Sequence, residues 1–525
     1  MAPLPHAGAP AAEALTLLDA LARAPAAAAL VVAALEQADR KALRLAHTQL
    51  RDAVGEATTK IDADQRVAAT PAEHIAHRQY PPSARPPTPR RWPRLEALHI
   101  SGFELAALEA LGAETWSVLR TLRLSGPRQA LDAPSAARTL ATALRRMPAL
   151  RELKAARAQL SDAAAGELFR VFAAAAPHLR ALSFTHTRLS PSWARGLGAT
   201  GWRLEALDLA YSRGLGAAGL EALLAAPAFA VRRLSLVACG LEEFALPAIA
   251  AAPWPLEELD LSDNDLGDAD GPALAALARH RGLRKLDVGL CDLTAAGFKA
   301  LVEAAWPALT YFDAREAKAA DEGPHALGPA AFAGFPVLEE LDLTDVVLGD
   351  AGAALLASRR WLRLRELYLN QASIGAAGLK ALVEACWPAL THFGVRSMHD
   401  GPHALGAAAF AGFPALQALW LLGVHLGEAG AALLASRRWA RLELLDFDSC
   451  GLGDAGLAAL ARGEFPALKA LTLRDNQLSA PVPLEAARRW APALEELSQR
   501  EAESTDDGAS DEEEAGSDAG GDESE

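Results

Sequence analysis

Along Leu256–Gly282, LEELDLSDNDLGDADGPALAALARHRG, the spacing of apolar and polar positions changes part-way. The first eleven residues read L-x-x-L-x-L-x-x-N-x-L, so Leu256, Leu259 and Leu261 suit a short strand with one apolar face. Ala269–Ala278 then follows a helical period, with Leu274 and Leu277 on one side. The pattern predicts one strand, one turn and one helix. Asn264 falls where the strand must bend into the turn. A buried amide there donates to and accepts from backbone groups that would otherwise be orphaned, which is a mechanical role and not a catalytic one.

The same opening recurs at Leu95, Leu119, Leu150, Leu179, Leu204, Val231, Leu256, Leu283, Leu309, Leu338, Leu364, Leu390, Leu416, Leu442, Leu468 and Leu494. Steps wander at first and are 26 residues from Leu338 onward. A longer periodicity overlies this one. KALVEAAWPALTYF from Lys299 is echoed from Lys380, GPHALGPAAFAGFP from Gly323 is echoed from Gly401, and LLASRRW occurs at both Leu355 and Leu433. A block of three repeats has been copied, which implies interchangeable packing modules held by their nearest neighbours.

With the glycine turns LGDAG at Leu348, IGAAG at Ile374, LGEAG at Leu426 and LGDAG at Leu452, this pattern resembles the ribonuclease-inhibitor-like subclass of leucine-rich repeats. The resemblance covers about four-fifths of the chain. It implies an α/β solenoid, a curved horseshoe with parallel strands on the concave face and helices on the convex face. It is specific to fold and not to function.

The expected boundaries are a disordered 1–11, a helical 12–70, a proline-rich linker 71–93, the repeat domain 94–498 and a disordered acidic tail 499–525. The linker carries Pro71, Pro81, Pro82, Pro86, Pro87, Pro89 and Pro93, which exclude helix and favour a stiff extended chain. Within the helical region, ALVVAALEQADRKALRLAHTQLRDAV, Ala29–Val54, is similar to the later part of an F-box. That family's leading Leu-Pro element is not in place, and Leu50 stands in its tryptophan slot. The resemblance implies that Leu30, Leu35, Leu43, Leu45, Leu50 and Val54 bind a ubiquitin-ligase adaptor. Without it, the same helices simply cap the first repeat.

Formal charge is −15, but residues 501–525 hold 12 Asp or Glu and no Lys or Arg, which leaves −15 + 12 = −3 for the rest. A nearly neutral body lacks the basic footprint of a nucleic-acid binder. The longest early uncharged run, Ala24–Leu35, falls well short of the roughly 20 apolar residues a bilayer requires. The start also lacks a basic signal-type region, so a soluble intracellular protein is expected. Cys239, Cys291 and Cys450 share the ninth repeat position with Asn264 and Asn476 and read as reduced core thiols, as does Cys386 beside Trp387.

Gly214-x-Gly216-x-x-Gly219 and Gly451-x-Gly453-x-x-Gly456 match a dinucleotide fingerprint, but neighbouring repeats carry the same turn, so they are repeat punctuation. His325 and His403 lie in copied loops and read as solvated. Trp306, Trp361, Trp387 and Trp439 recur at fixed places and read as packing. No catalytic cluster, metal spacing, cofactor motif or small-molecule site is visible.

Outward strand positions remain for recognition. The fifth position reads Asp208, Ser235, Asp260, Asp287, Asp313, Asp342, Tyr368, Gly394, Trp420, Asp446, Thr472. L-D-L is a common filling that favours solubility; an exposed Trp420 with Tyr368 two repeats earlier is not. Aromatic anchors beside carboxylates suit a protein ligand carrying Arg or Lys. The expected site is therefore Asp260, Asp287, Asp313, Asp342, Tyr368, Trp420 and Asp446. Two roles stay open for such an interaction module: a substrate receptor of a cullin-type ubiquitin ligase, or a scaffold or regulator on cytoskeletal or ciliary structures.

Overall fold

The computed structural model describes residues 78–80 and 95–499, except 102–104, 126–133, 158–161, 243, 268–270, 318–325 and 397–404. The helical region 12–70, with Leu30, Leu35, Leu43, Leu45, Leu50 and Val54, lies outside the described residues, as do the tail from 500 and His325 and His403.

Among the described residues, seventeen strands form one sheet, each pairing in parallel with its neighbour in the chain. The repeat in Leu256–Gly282 shows how. Its strand is Glu258–Asp260, its helix is Gly271–Ala276, and Leu256, Leu259, Leu261, Leu274 and Leu277 are all buried. A helix with its side chains is about 10 Å wide, whereas paired strands lie about 4.8 Å apart. Stacked strand–helix units must therefore curve, with strands inside and helices outside. The buried residues of successive repeats join into one continuous core.

Arg78–Tyr80, inside the stretch expected to be linker, pairs with Ala97–Ser101 and lengthens the sheet at its first edge. Extended backbone, which the prolines around it favour, is the conformation an edge strand needs.

Three devices repeat along the array. The first is the ninth position. Asn264 accepts from the Cys239 and Leu241 N–H groups at 3.0 Å, and its amide nitrogen donates to the carbonyls of Leu236 and Leu261 at 2.8 and 2.7 Å. Asn476 does the same with Cys450, Leu452 and Phe447. The thiols of Cys239 and Cys291 and the hydroxyl of Ser212 donate to the matching carbonyls of their preceding repeats, Leu209, Leu261 and Phe184. Burial pushes the Cys239 thiol up to about 12, so it keeps the proton it donates. Cys386 departs from this reading: it is exposed, past the end of helix Ala376–Glu384, because it has no place in the ninth-position ladder.

The second device is the eighth position, where Arg157, His186, Tyr211, Ala238, Asp263, Leu290, Glu316, Asp345, Gln371, Ser449 and Asp475 all have φ between 52° and 61°. A left-handed residue turns the chain out of the strand, and each non-glycine one costs about 1 kcal/mol or more. Only Gly423 uses glycine at a described eighth position. The third device is tryptophan. Trp116, Trp306, Trp361, Trp387 and Trp439 each donate an indole N–H to a carbonyl five residues back, at 2.8 to 3.2 Å. That carbonyl belongs to the last turn of a helix, and in all but the first case it also accepts a backbone N–H three residues on at 3.2 to 3.3 Å, so the indole takes its second lone pair.

Candidate functional site

Strand pairing puts the fifth positions in register across the inner face: Asp260, Asp287, Asp313, Asp342, Tyr368, Gly394, Trp420, Asp446 and Thr472 follow one another strand by strand. The row begins earlier than the sequence reading placed it, with His99, Arg123 and Lys154. The inner face thus changes sign along its length.

Not all of the expected site is open. Asp287, Asp313 and Asp446 are only 7%, 1% and 2% exposed. The reason is local. Each fifth-position aspartate accepts the N–H two residues on, as with Asp260 and Ser262, Asp287 and Gly289, Asp313 and Arg315, Asp342 and Thr344, and Asp446 and Asp448. The carboxylate caps the strand where the ladder ends, and this is the structural reason for L-D-L. Arg315 then folds back over the row, with its guanidinium 2.6 Å from Asp313, and its chain lies where a side chain at Gly289 would otherwise be.

Burial and neighbouring carboxylates weaken these acids. Burial, followed by the Asp260 charge, pushes Asp287 up to about 6. Asp313 is raised well above the ordinary range by burial and then by Asp342 and Asp287. Burial lifts Asp446 to about 6 against the Thr472 hydroxyl, which favours its charged form. Asp260 and Asp342 are half-buried and keep part of their carboxylates at the surface.

Tyr368 and Trp420 do meet, and His392 joins them. Trp420, expected to stand exposed, is half-buried because the rings cover one another. The Tyr368 and Trp420 centroids are 6.1 Å apart and tilted by 48°, and His392 stacks on Trp420 at 6.0 Å and 21°. Gly394 sits between them in the row, and a Cβ there would lie 3.2 Å from the Tyr368 ring. The Tyr368 hydroxyl donates to Glu366 at 3.0 Å, and His392 Nδ1 is 3.9 Å from the same carboxylate. Sequence reasoning missed His392 and Gly394 as partners of this group, because only the register shows which third- and fifth-position side chains become neighbours.

A groove of about 390 Å³ lies further back on the same face, floored by Ala181, Ser183, Ala206 and Ser235 and flanked by Lys154 and Arg233. Among the described residues no group of His, Cys, Asp or Glu could hold a metal ion, and no helix is long and apolar enough to cross a membrane.

A family profile described as "Leucine Rich repeat" matches residues 255–275 and 442–461. The chain carries leucine-rich repeats. The first match falls on the Leu256 unit, and the second on the repeat that supplies Asp446. Among solved structures, the leucine-rich-repeat array is similar to a chain of the yeast Rad7 and Elc1 complex at 14% identity and a TM-score of 0.38, covering 75% of this chain and 83% of that one. It is also similar to TLR13 in complex with ssRNA13, at 16% identity and a TM-score of 0.41, covering 81% of this chain and 56% of that one. Both likenesses are distant, and neither bears on partner or activity. No curated protein matches the sequence significantly.

Proposed function

We propose that this protein is a non-enzymatic interaction module of the ribonuclease-inhibitor-like kind, and that it docks a protein partner carrying basic side chains on its inner strand face. The observation that carries this reading is the cluster of Tyr368, His392 and Trp420 beside Glu340, Asp342 and Glu366, where Asp342 bonds its own backbone like the other fifth-position aspartates but stays half-exposed. Half-buried aromatic side chains next to carboxylates are the composition of a binding hot spot for a cationic partner. Of the expected site, Asp260, Asp342, Tyr368 and Trp420 face the partner, while Asp287, Asp313 and Asp446 hold the scaffold.

The test is affinity capture with mass spectrometry, comparing the native chain with the Trp420→Ala, Asp342→Lys double variant. The expected result is loss of the captured partner with an unchanged thermal melt. Equal capture by the two proteins overturns the reading.

The F-box-like segment Ala29–Val54 favours one role for this module, that of a substrate receptor whose N-terminal region holds a ubiquitin-ligase adaptor while the repeats select the target. In the full chain, Leu35→Asp with Leu43→Asp should abolish adaptor co-purification and leave inner-face capture intact. A chain that never co-purifies with an adaptor leaves the interaction module without the ligase role.

A further inference from the structure

Glu340 and Glu366 are register partners on adjacent strands, with both side chains on the inner face. Like charges placed opposite one another oppose the pairing of their strands. Burial, followed by the Glu366 charge, raises Glu340 above its ordinary value. Glu340 forms no ion pair among the described residues, while the neighbouring Glu339 is 4.0 Å from Arg365. Glu366 is already oriented by the Tyr368 hydroxyl.

Beside this pair, Tyr368 and Trp420 lean toward each other across Gly394, and His392 backs Trp420. At 6.0 Å the stacked His392 and Trp420 rings leave no room for a third flat group between them. The Tyr368 and Trp420 rings are no farther apart at 6.1 Å, but their 48° tilt makes them diverge to one side, and the open mouth of that wedge on the Gly394 strand is the notch a flat group can reach.

We infer that this notch takes an arginine side chain of the partner, its guanidinium plane against the Tyr368 and Trp420 rings and its N–H edges toward Glu366 and Glu340. A guanidinium is flat, stacks on aromatic faces and offers two hydrogen-bonding edges, which matches rings on one side and two carboxylates one strand apart on the other. An ammonium ion offers a point charge without a plane. The assignment rests on the inner-face docking reading and adds the identity of the anchoring side chain.

The test uses the full chain labelled with 5-fluorotryptophan. Trp420 is one of eleven tryptophans, and its fluorine resonance is identified as the one missing from Trp420→Phe. The probes are the N-acetyl amides of arginine, lysine and citrulline. Arginine should shift the Trp420 resonance saturably, lysine about fivefold more weakly, and citrulline, which keeps the shape and loses the charge, not at all. Glu366→Gln preserves size and a hydrogen-bond acceptor for Tyr368, and should weaken the arginine response by about fivefold or more. Citrulline acting like arginine, or an arginine response that survives Glu366→Gln, overturns the assignment, as does a Trp420 resonance that ignores all three probes. If that happens while the Trp420→Ala, Asp342→Lys variant still loses its partner, the notch assignment falls and the docking face stands. Capture that survives the double variant removes the docking face itself.

Discussion

The copied block allows one stretch of the molecule to be compared with another built on the same plan. Its first copy supplies strands Tyr311–Asp313, Glu340–Asp342 and Glu366–Asn370, and the second supplies His392–Arg396, Ala418–Leu422 and Leu444–Asp446. Inward positions barely differ: Phe312 and Phe393, Leu341 and Leu419, and Leu367 and Leu445 are all buried. The tryptophan bonds are reproduced as well, Trp306 to Leu301 and Trp387 to Leu382. Outward positions differ almost throughout. Tyr311, Asp313, Glu340, Asp342, Glu366 and Tyr368 in the first copy correspond to His392, Gly394, Ala418, Trp420, Leu444 and Asp446 in the second. One scaffold thus carries a mostly acidic surface in the first copy, neutralised in part where Arg315 meets Asp313, and a less charged one bearing His392 and Trp420 in the second. The aromatic notch forms at their junction, with Tyr368 from one copy and Trp420 from the other. Packing tolerates few alternatives, while the inner face is free to vary, so binding chemistry there can change without changing the fold.

Four measurements test how far the two copies are equivalent. If the copies are mechanically equivalent, Leu341→Ala and Leu419→Ala should each cost about 2–5 kcal/mol in urea unfolding and should match one another closely. A large cost in one copy and none in the other would mean that only one of them is part of the cooperative core. Next come Gly334 and Gly412, where an added Cβ would lie 1.9 Å from the Ala304 carbonyl oxygen and 1.8 Å from that of Ala385. Alanine at either position should destabilise by about 1–3 kcal/mol, read as a fall in denaturation midpoint.

The acidic surface should also leave a signature in pH. Asp287 is raised from its ordinary 3.8 to about 6 in the folded chain. The folded state therefore holds this proton more tightly than the unfolded state does. Its contribution to stability is complete below pH 3.8, declines as pH rises, and is lost above about pH 6. Asp287→Asn should raise stability at pH 7 by about 1–2 kcal/mol and flatten the slope between those limits. A slope unchanged by the substitution would place the titrating group elsewhere. The smallest effect is expected from Trp306→Phe and Trp387→Phe, each losing about 1 kcal/mol with its indole hydrogen bond, equally in the two copies.

Much of the scaffold could be read from the chain itself. Leu256, Leu259 and Leu261 announce a buried strand edge, Asn264 announces a bonded turn, and Cys239 and Cys450 fall in the same slot, where their thiols donate to the Leu209 and Leu421 carbonyls of the preceding repeats. The candidate site was read only in part. Tyr368 and Trp420 were recognised as fifth-position aromatics, but aspartates in that row looked alike in sequence and proved unequal. Asp313 is buried under Arg315, which comes from the same strand end, while Asp342 stays half-open. Left-handed eighth positions were invisible because residues as different as Tyr211, Ala238 and Leu290 occupy them.

The period, the inward face and the hydrogen-bonded turn are legible along the chain, because these repeat and each depends on contacts within a unit or with the next one. Which outward side chains are available emerges with the folded sheet. That outcome depends on ring packing and charge across three or four adjacent strands, whose side chains are 26 or more residues apart in the chain and become neighbours only once the sheet register is fixed.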